Sequence, residues 1–392
     1  MNEKKIITDL LDQIDLKYPP QRIRKAEIKW RNLWDPKETF RFPPLAIARN
    51  AAIQGTRHHA HHSAEEKFFT LKQQLTDILA KADIQDDYIP SLLLNIGAYI
   101  IGDCFGGNFI YQGGMYIFEP FINSAEDLDR LPEFNPQGKN TLMSRALEML
   151  EYMLEMTDER IKIVIHTPQG LLESLSVMCA SGEFYIAMAE TPEKVLAAIK
   201  KIKCAYEYYI EKQLEITGTT GLTNFAMGYS YRPRGTGIGV GEDIMATISP
   251  DDFRPYLHLY EEISAKFGGL LLHSCGQTFH QIENICNTPA IKAVHFSQVR
   301  PHEYFHRITR PLIIISQNDW EDFNHFTEYA RAVKAYGFRT AFQIETLSHF
   351  MYADDKIKSE GSLLGWESYH IKKVAGMTEQ VKKILEDVFI GP

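Results

Sequence analysis

The stretch GLLLHS at residues 269–274 is the clearest of eight short apolar runs that decide the predicted fold. Its apolar residues are consecutive, which is typical of strands buried on both faces, as in a parallel sheet. Amphipathic helical patterns, such as residues 140–157 and 192–216, separate the runs. The other seven runs are residues 44–48 (PLAIA), 108–111 (NFIY), 162–167 (KIVIHT), 221–226 (GLTNFA), 292–297 (KAVHFS), 311–316 (PLIIIS) and 339–345 (RTAFQIE).

Eight strands that alternate with helices predict an α/β protein with a (β/α)8 TIM barrel. An open doubly wound sheet is the alternative, but no GxGxxG turn opens a helix directly after a strand. The glycines of GTGIGVG (235–241) alternate, and the next helix begins only at Ser249, so we interpret this stretch as a flexible loop over the barrel mouth. Two helical patterns before the first strand predict an N-terminal helical extension over residues 1–42.

The amino-acid composition and net charge of the chain argue against several classes of function. The 392 residues carry 42 Lys and Arg against 51 Asp and Glu, a net charge of −9, which argues against binding nucleic acid by neutralising its phosphates. No stretch approaches the roughly 18 uninterrupted apolar residues of a membrane span. The first residues lack the apolar core of a signal peptide, and five cysteines form an odd, sparse set that fits a reducing compartment. We therefore expect a soluble cytoplasmic protein that binds neither nucleic acid nor membrane.

The run LLLHSCG places His273 and Cys275 two residues apart at the carboxyl end of a predicted strand. Residues i and i+2 of a strand lie on the same face, roughly 7 Å apart. Imidazole and thiolate are ligands that Zn²⁺ prefers, and catalytic residues of a barrel lie at the carboxyl ends of its strands. The alternative is a buried histidine bonded to backbone beside a small apolar cysteine.

Further candidates are two residues after the last predicted strand and two acidic pairs, of which Glu242-Asp243 precedes the helix that begins at Ser249. Glu345 ends RTAFQIE and His349 lies in the following loop, so either could be a third metal ligand; otherwise both are solvated loop residues. Two acidic pairs, Asp86-Asp87 and Glu242-Asp243, could supply a general base or orient an imidazole, although such pairs are commonly solvated.

Five blocks of sequence resemble, in order, the uroporphyrinogen decarboxylase superfamily, which includes corrinoid-dependent methyltransferases. The resemblance covers roughly residues 40 to 390 and implies that residues 43–392 form a (β/α)8 barrel with its active site in a cleft at the strand carboxyl ends. The blocks are DDYIPSLLLNIGAYIIGDCFGG, INSAEDLDRLP, HTPQGLLESLSVMCASGEFYIAMAETPEKV, GVGEDIMATISPDDFRPYLHLYEEI and LLLHSCGQTFHQIENI.

The resemblance to decarboxylases is incomplete at their substrate site. Those enzymes hold substrate carboxylates with an early arginine-rich loop; the corresponding residues 48–53 (ARNAAI) keep Arg49 but carry Ile53 in place of the second arginine. The family segment whose aspartate contacts the pyrrole NH groups also has no clear counterpart. The methyltransferase branch instead carries H-x-C-G on strand five and a later ligand after strand eight. His273 and Cys275 match the first two, and His349 stands where that ligand is commonly cysteine.

The methyltransferase branch implies Zn²⁺ bound by His273, Cys275 and either His349 or Glu345. Such an ion would activate a thiol, or the heteroatom of a methyl donor, for methyl transfer to or from methylcobalamin. Glu242, Asp243 or Asp87 would act as base or orient a ligand, and Arg49 is a further catalytic candidate. Because the chain lacks a D-x-H-x-x-G motif, a corrinoid carrier protein would be the partner; a homodimer is also possible. The alternatives are a cofactor-free decarboxylase and a non-catalytic corrinoid or tetrapyrrole binder.

Overall fold

The computed structural model describes residues 2–47, 64–94, 99–112, 115–138, 141–218, 221–222, 231–297, 299–317, 323–344 and 368–391. The helices are α1 (Glu3–Lys17), α2 (Pro20–Trp34), α3 (Ala64–Ala80), α4 (Ile100–Asp103), α5 (Ala125–Asp129), α6 (Leu142–Thr157), α7 (Leu171–Met178), α8 (Glu183–Glu190), α9 (Pro192–Thr217), α10 (Pro250–Phe253), α11 (Leu257–Phe267), α12 (Ile282–Asn287), α13 (Phe323–Tyr336) and α14 (Ser368–Phe389). The strands are β1 (Leu45–Ile47), β2 (Ser91–Leu93), β3 (Asn108–Gln112), β4 (Met115–Glu119), β5 (Lys162–Val164), β6 (Gly221–Leu222), β7 (Ile238–Gly241), β8 (Leu270–Cys275), β9 (Ile291–Ser297), β10 (Ile313–Gln317) and β11 (Arg339–Ile344).

Parallel strands dominate the described fold, which confirms the predicted α/β class. Six strands pair in the order β1-β11-β10-β9-β8-β7, and three more in the order β2-β5-β6. Isolated backbone hydrogen bonds link the two sheets through the residues that precede β2 and follow β5. Asp87 N donates to Leu45 O over 2.7 Å, and Gly170 N donates to Gly241 O over 2.7 Å.

Three strand predictions need correction. The run 108–111 is not part of a parallel sheet but forms β3, which pairs with β4 in an antiparallel hairpin. The sequence analysis missed β2, which pairs with β5. The predicted loop at 235–241 is wrong over its second half, because Ile238–Gly241 is β7 at the edge of the six-stranded sheet. Its apolar residues Ile238 and Val240 are buried in the main core.

The two helical patterns at residues 140–157 and 192–216 form helices α6 and α9, each of which buries one face. Helix α6 begins after Thr141, whose hydroxyl accepts a hydrogen bond from Ser144 N, and ends at Asp158 in the left-handed region at φ 49°. Proline at the first position of α9 has no amide hydrogen to leave unpaired there. No helix in the described part of the chain is long and apolar enough to span a bilayer.

One face of the six-stranded sheet, here called the His273 face, changes from apolar to polar along the strands. Residues in register on neighbouring parallel strands share a face, and every second residue of a strand returns to it. Near the amino ends this face carries Leu271, Ala293 and Ile313. Trp30 and Trp34 of α2 pack in the same apolar cluster. The next register row reads Gly241, His273, His295, Ile315 and Ala341.

Helix α2 holds the amino-terminal side of this face through both tryptophans. The indole of Trp30 is fully buried and donates to Asp87 O over 2.8 Å, and that of Trp34 donates to Tyr231 O over 3.0 Å. These two acceptors precede β2 and β7 in the chain, so α2 covers the ends where strands begin. The carboxyl ends carry the polar residues, and the candidate site lies there.

Candidate metal centre

Three potential metal ligands converge at the carboxyl end of β8. Ligand atoms of Asp243, His273 and Cys275 all lie within 4.8 Å of one another. His273 Nε2 is 3.5 Å from Cys275 Sγ and 3.7 Å from Asp243 Oδ1. The alternation of the strand predicted that His273 and Cys275 share a face, and this is what the structure has. Half of the Asp243 side chain is exposed, so the group is open to solvent on that side.

Backbone hydrogen bonds between β7 and β8 place Asp243 against the two strand residues. The β7–β8 ladder pairs Gly241 with His273, and Glu242 N extends it by donating to His273 O over 2.8 Å. The chain then turns into a short 3₁₀ helix at Asp243–Ala246. Cys275 N donates to Asp243 Oδ1 over 2.7 Å, which fixes the carboxylate beside the imidazole.

His295, on the neighbouring strand β9, orients the His273 ring through a contact between their ring nitrogens. The two rings are stacked with centroids 4.7 Å apart, and their Nδ1 atoms are 2.6 Å apart. Two facing ring nitrogens at this distance share one hydrogen, so one imidazole donates and the other accepts. When His273 Nδ1 donates, its Nε2 carries a lone pair directed towards Cys275 and Asp243.

Burial keeps both imidazoles neutral. Burial lowers the pKa of His273, and the nearby Asp243 carboxylate opposes this only in part. The pKa of His295 is lowered well below its ordinary value, by burial first and by His273 second. A neutral imidazole is the form that binds a metal ion.

Two further carboxylates, Glu242 and Glu173, link the site to helix α7. Glu242 is fully buried and accepts hydrogen bonds from the first turn of α7, from Leu172 N at 3.2 Å and Glu173 N at 2.9 Å; the hydroxyl of Tyr260 also donates to it. In return, Glu173 accepts from Ile244 N over 2.6 Å, in the turn that carries Asp243. Burial raises the pKa of Glu242 to about 8 and that of Glu173 to about 7.

Glu242 and Glu173 each accept a hydrogen bond from the segment that carries the other. We therefore assign Glu242 the role of positioning the turn that carries Asp243. Both of its oxygens bond to the amino terminus of α7, and its side chain has no exposed surface. Gly170, the residue before α7, leaves the space that this carboxylate occupies, since a Cβ there would overlap Glu242 Oε1. The sequence analysis treated Glu242 and Asp243 as equivalent; the structure buries the first and places only the second among the candidate ligands.

Of the remaining predicted site residues, the structure describes only Asp87, which lies away from this centre. Asp87 lies where β1 and β2 begin, accepts from Leu45 N over 3.0 Å and pairs with Lys29 at 2.8 Å. It therefore ties α2 to the sheet. Arg49, Glu345 and His349 lie outside the described residues.

Sequence reasoning missed two contributions. His295 lies on a run that was predicted as a strand, but its contact with His273 depends on the register of β8 against β9. Asp243 was considered as a base or an orienting group, not as a ligand, because no spacing rule relates it to His273. Among the described residues the ligand group is thus Asp243, His273 and Cys275, and the prediction of His349 or Glu345 as a ligand is not tested.

Comparison with solved structures shows a likeness in fold to a known protein. The structure is similar to a methyltransferase from Methanosarcina mazei with a TM-score of 0.61, over 90% of this chain and 97% of that chain. The two sequences are 11% identical, so the likeness shows a shared fold alone. No protein-family model matches the sequence. No curated protein matches it either.

Proposed function

We propose that this chain is a methyltransferase of the uroporphyrinogen decarboxylase superfamily that binds Zn²⁺ through Asp243, His273 and Cys275. The observation that carries the proposal is the convergence of these three side chains at the carboxyl end of a parallel strand. The likeness in fold to a methyltransferase and the resemblance in sequence both support it. In the proposed fold, eight of the nine described parallel strands, all except the two-residue β6, close into one (β/α)8 barrel, and the two hydrogen bonds between the sheets support that closure.

The donor geometry suits zinc. Ligand lengths of about 2.3 Å for sulfur and about 2.0–2.1 Å for nitrogen and oxygen give tetrahedral edges of about 3.6 Å for sulfur–nitrogen and about 3.4 Å for nitrogen–oxygen. The 3.5 Å and 3.7 Å separations at His273 Nε2 are close to these values. A thiolate ligand favours Zn²⁺ over the hard cations Mg²⁺ and Ca²⁺. Three protein ligands leave the fourth position for a substrate atom, as in catalytic zinc sites.

The chain's own residues prepare this site for a thiol or for the heteroatom of a methyl donor. His295 directs His273 Nε2 into the site, and the Cys275 amide fixes Asp243. The Cys275 thiolate and the Asp243 carboxylate together carry two negative charges, which balance those of a divalent ion. Zinc, when bound there, supplies the Lewis acidity that lets a substrate thiol lose its proton at neutral pH.

In the thiol direction, the site would present the substrate sulfur as the nucleophile for the methyl group of methylcobalamin. The corrinoid would leave with the cobalt–carbon electron pair as Co(I), and the thiol proton would pass to solvent. Transfer from a methyl donor to Co(I) would run in the opposite sense. We propose that the corrinoid is carried by a partner protein, that the chain acts in the cytoplasm, and that it can form a homodimer.

Metal content and turnover of matched variants test this function. The zinc content of protein purified without chelator is measured for the wild type and for His273→Ala, Cys275→Ser and Asp243→Asn, with the exposed Cys204→Ser as control. We expect about one zinc per chain in the wild type and in Cys204→Ser, and loss of zinc in His273→Ala and Cys275→Ser. Demethylation of methylcobalamin in the presence of small thiols should follow zinc content.

Two results would overturn the proposal. Wild-type protein without stoichiometric zinc would remove its chemical basis. Zinc that survives both Cys275→Ser and His273→Ala would place the metal elsewhere in the chain. Consumption of uroporphyrinogen by zinc-free protein would instead establish the decarboxylase alternative.

A further inference from the structure

Gln343 on β11 is a fully buried amide with no hydrogen-bond partner in the described part of the chain. Its exposed fraction is 0%, and neither its Nε2 nor its Oε1 finds a partner. Most buried side-chain polar groups in proteins are hydrogen-bonded, and each exception needs an explanation. Gln74, which is also buried, shows the ordinary arrangement: its Nε2 donates to Leu93 O over 2.9 Å and its Oε1 accepts from Leu93 N over 2.8 Å.

The register of the sheet places Gln343 on the same face as the candidate metal centre. Ala341, two residues earlier, belongs to the register row that contains His273 and His295. Gln343 therefore returns to the His273 face, one step nearer the carboxyl ends, as Cys275 does on β8. Three strand spacings of about 4.8 Å separate β8 from β11, so one small molecule can reach from the metal ligands to Gln343.

An internal structural role does not account for this amide. Leaving both the donor and the acceptor unpaired costs their desolvation free energy, and an apolar side chain of similar size would avoid that cost. Ala46 and Ala341, which neighbour Gln343 in register and along the strand, are apolar and buried, and the register partner on β10 is Gln317. A buried amide without a hydrogen-bond partner at the end of the sheet that carries the candidate ligands is typical of a binding site, where few polar groups fix ligand orientation.

We propose that Gln343 binds a neutral hydroxyl or carboxamide group of the substrate whose thiol or methyl-bearing heteroatom lies at the metal centre; this inference rests on the proposed function. The amide is uncharged and offers one donor group and one acceptor, which such a group matches. Its described neighbours Ala46, Ala341 and Gln317 carry no charge that could pair with an ionised substituent, and this disfavours a charged group there. Gln343 is thus a specificity-determining residue.

Thermal unfolding in the presence of paired thiols tests this assignment. The probes are ω-hydroxyalkanethiols of two to six carbons and alkanethiols in which a methyl group replaces the hydroxyl, added anaerobically to the zinc-loaded full chain. For at least one length of the alkanethiol, we expect the hydroxyl compound to bind the wild type about tenfold more tightly than its methyl analogue. This ratio corresponds to the free energy of one good hydrogen bond. The Gln343→Leu variant should lose this preference for the hydroxyl compound but should still bind zinc.

The unliganded variants give a second readout that needs neither zinc nor turnover. Gln343→Leu should unfold at the same temperature as the wild type or higher, whereas Gln74→Leu should unfold at a lower one because it leaves both Leu93 backbone groups unpaired. Destabilisation of Gln343→Leu comparable to that of Gln74→Leu would overturn the proposal, since it would reveal an internal partner. An equal preference for hydroxyl in wild type and variant, or no preference at any length, would also overturn it. Methylcobalamin turnover is scored separately, so its absence counts against the proposed function alone.

Discussion

The imidazoles of His273 and His295 share one hydrogen across 2.6 Å between their Nδ1 atoms. The residues are direct partners in the β8–β9 register, so the sheet itself holds the two rings together. A metal at His273 Nε2 selects the tautomer in which His273 donates and His295 accepts. The stability of that tautomer therefore contributes to metal affinity.

Removing the His295 acceptor should weaken metal binding without removing a ligand. His295→Phe keeps a buried aromatic ring against His273 but cannot accept its Nδ1 hydrogen. We expect zinc affinity, measured by competition with a chromophoric chelator, to fall by about 10–100-fold, the usual effect of losing such an outer partner. His306→Ala, at an exposed histidine, serves as control. Unchanged affinity in His295→Phe would show that the histidine pair has no role in the metal site.

Metal removal should change the reactivity of one cysteine. Alkylation requires the thiolate, and burial raises the pKa values of both Cys104 and Cys179 to about 12, so neither should react at pH 7. We expect iodoacetamide, followed by peptide mass spectrometry, to label the exposed Cys204 with or without zinc. Cys275 should be labelled only after chelation. Equal labelling of Cys275 in both states would contradict its role as a ligand.

Because the Glu242 side chain lies close to Gly170, we predict that a larger residue at position 170 destabilises the folded protein. In Gly170→Ala the new Cβ would overlap the carboxylate that caps α7, and both must shift. We expect the free energy of unfolding, from urea titration, to fall by about 1–3 kcal/mol, as in other overpacked sites. Gly376→Ala in α14 meets nothing within 4 Å and should instead stabilise by up to about 1 kcal/mol. Equal effects at the two glycines would show that the close approach is absent.

Asp87 should influence stability and its pH dependence, but not the metal site. Burial raises its pKa above 3.8 although Lys29 opposes the shift. Because the pKa is higher in the folded state, the stabilisation is complete below the ordinary pKa and is lost as pH rises through the raised value. The free energy of unfolding of the wild type relative to Asp87→Asn should thus fall as the pH rises above about 3.8, by at most about 1.4 kcal/mol per pH unit. Zinc content should be unchanged, and loss of zinc in Asp87→Asn would contradict this placement.

The sequence was sufficient for the features that depend on local periodicity. Consecutive apolar residues predicted β8, β9, β10 and β11, and alternation along β8 predicted that His273 and Cys275 share a face. Local sequence patterns gave wrong predictions where the pairing between strands determines the structure. The hairpin of β3 and β4 contains an apolar run like those of the parallel strands, and the glycine-rich stretch before Glu242 becomes β7 because β8 offers a partner edge.

The ligand set was harder to predict for the same reason. Asp243 and Cys275 are 32 residues apart and meet because β7 and β8 are neighbours in parallel register. The unpartnered amide of Gln343 leaves no signal in the sequence, since a glutamine that ends an apolar run is ordinary on a solvated face. Only the register identifies the face to which it belongs.

The coordination of zinc in the wild-type protein tests the central claim most directly. X-ray absorption at the zinc edge, on protein with one zinc per chain, should give one sulfur at about 2.3 Å and two or three nitrogen or oxygen ligands at about 2.0–2.1 Å. Cys275→Ser, reloaded with zinc, should lose the sulfur contribution. A wild-type spectrum without sulfur, or one with two or more sulfurs, would contradict a site built from Asp243, His273 and Cys275.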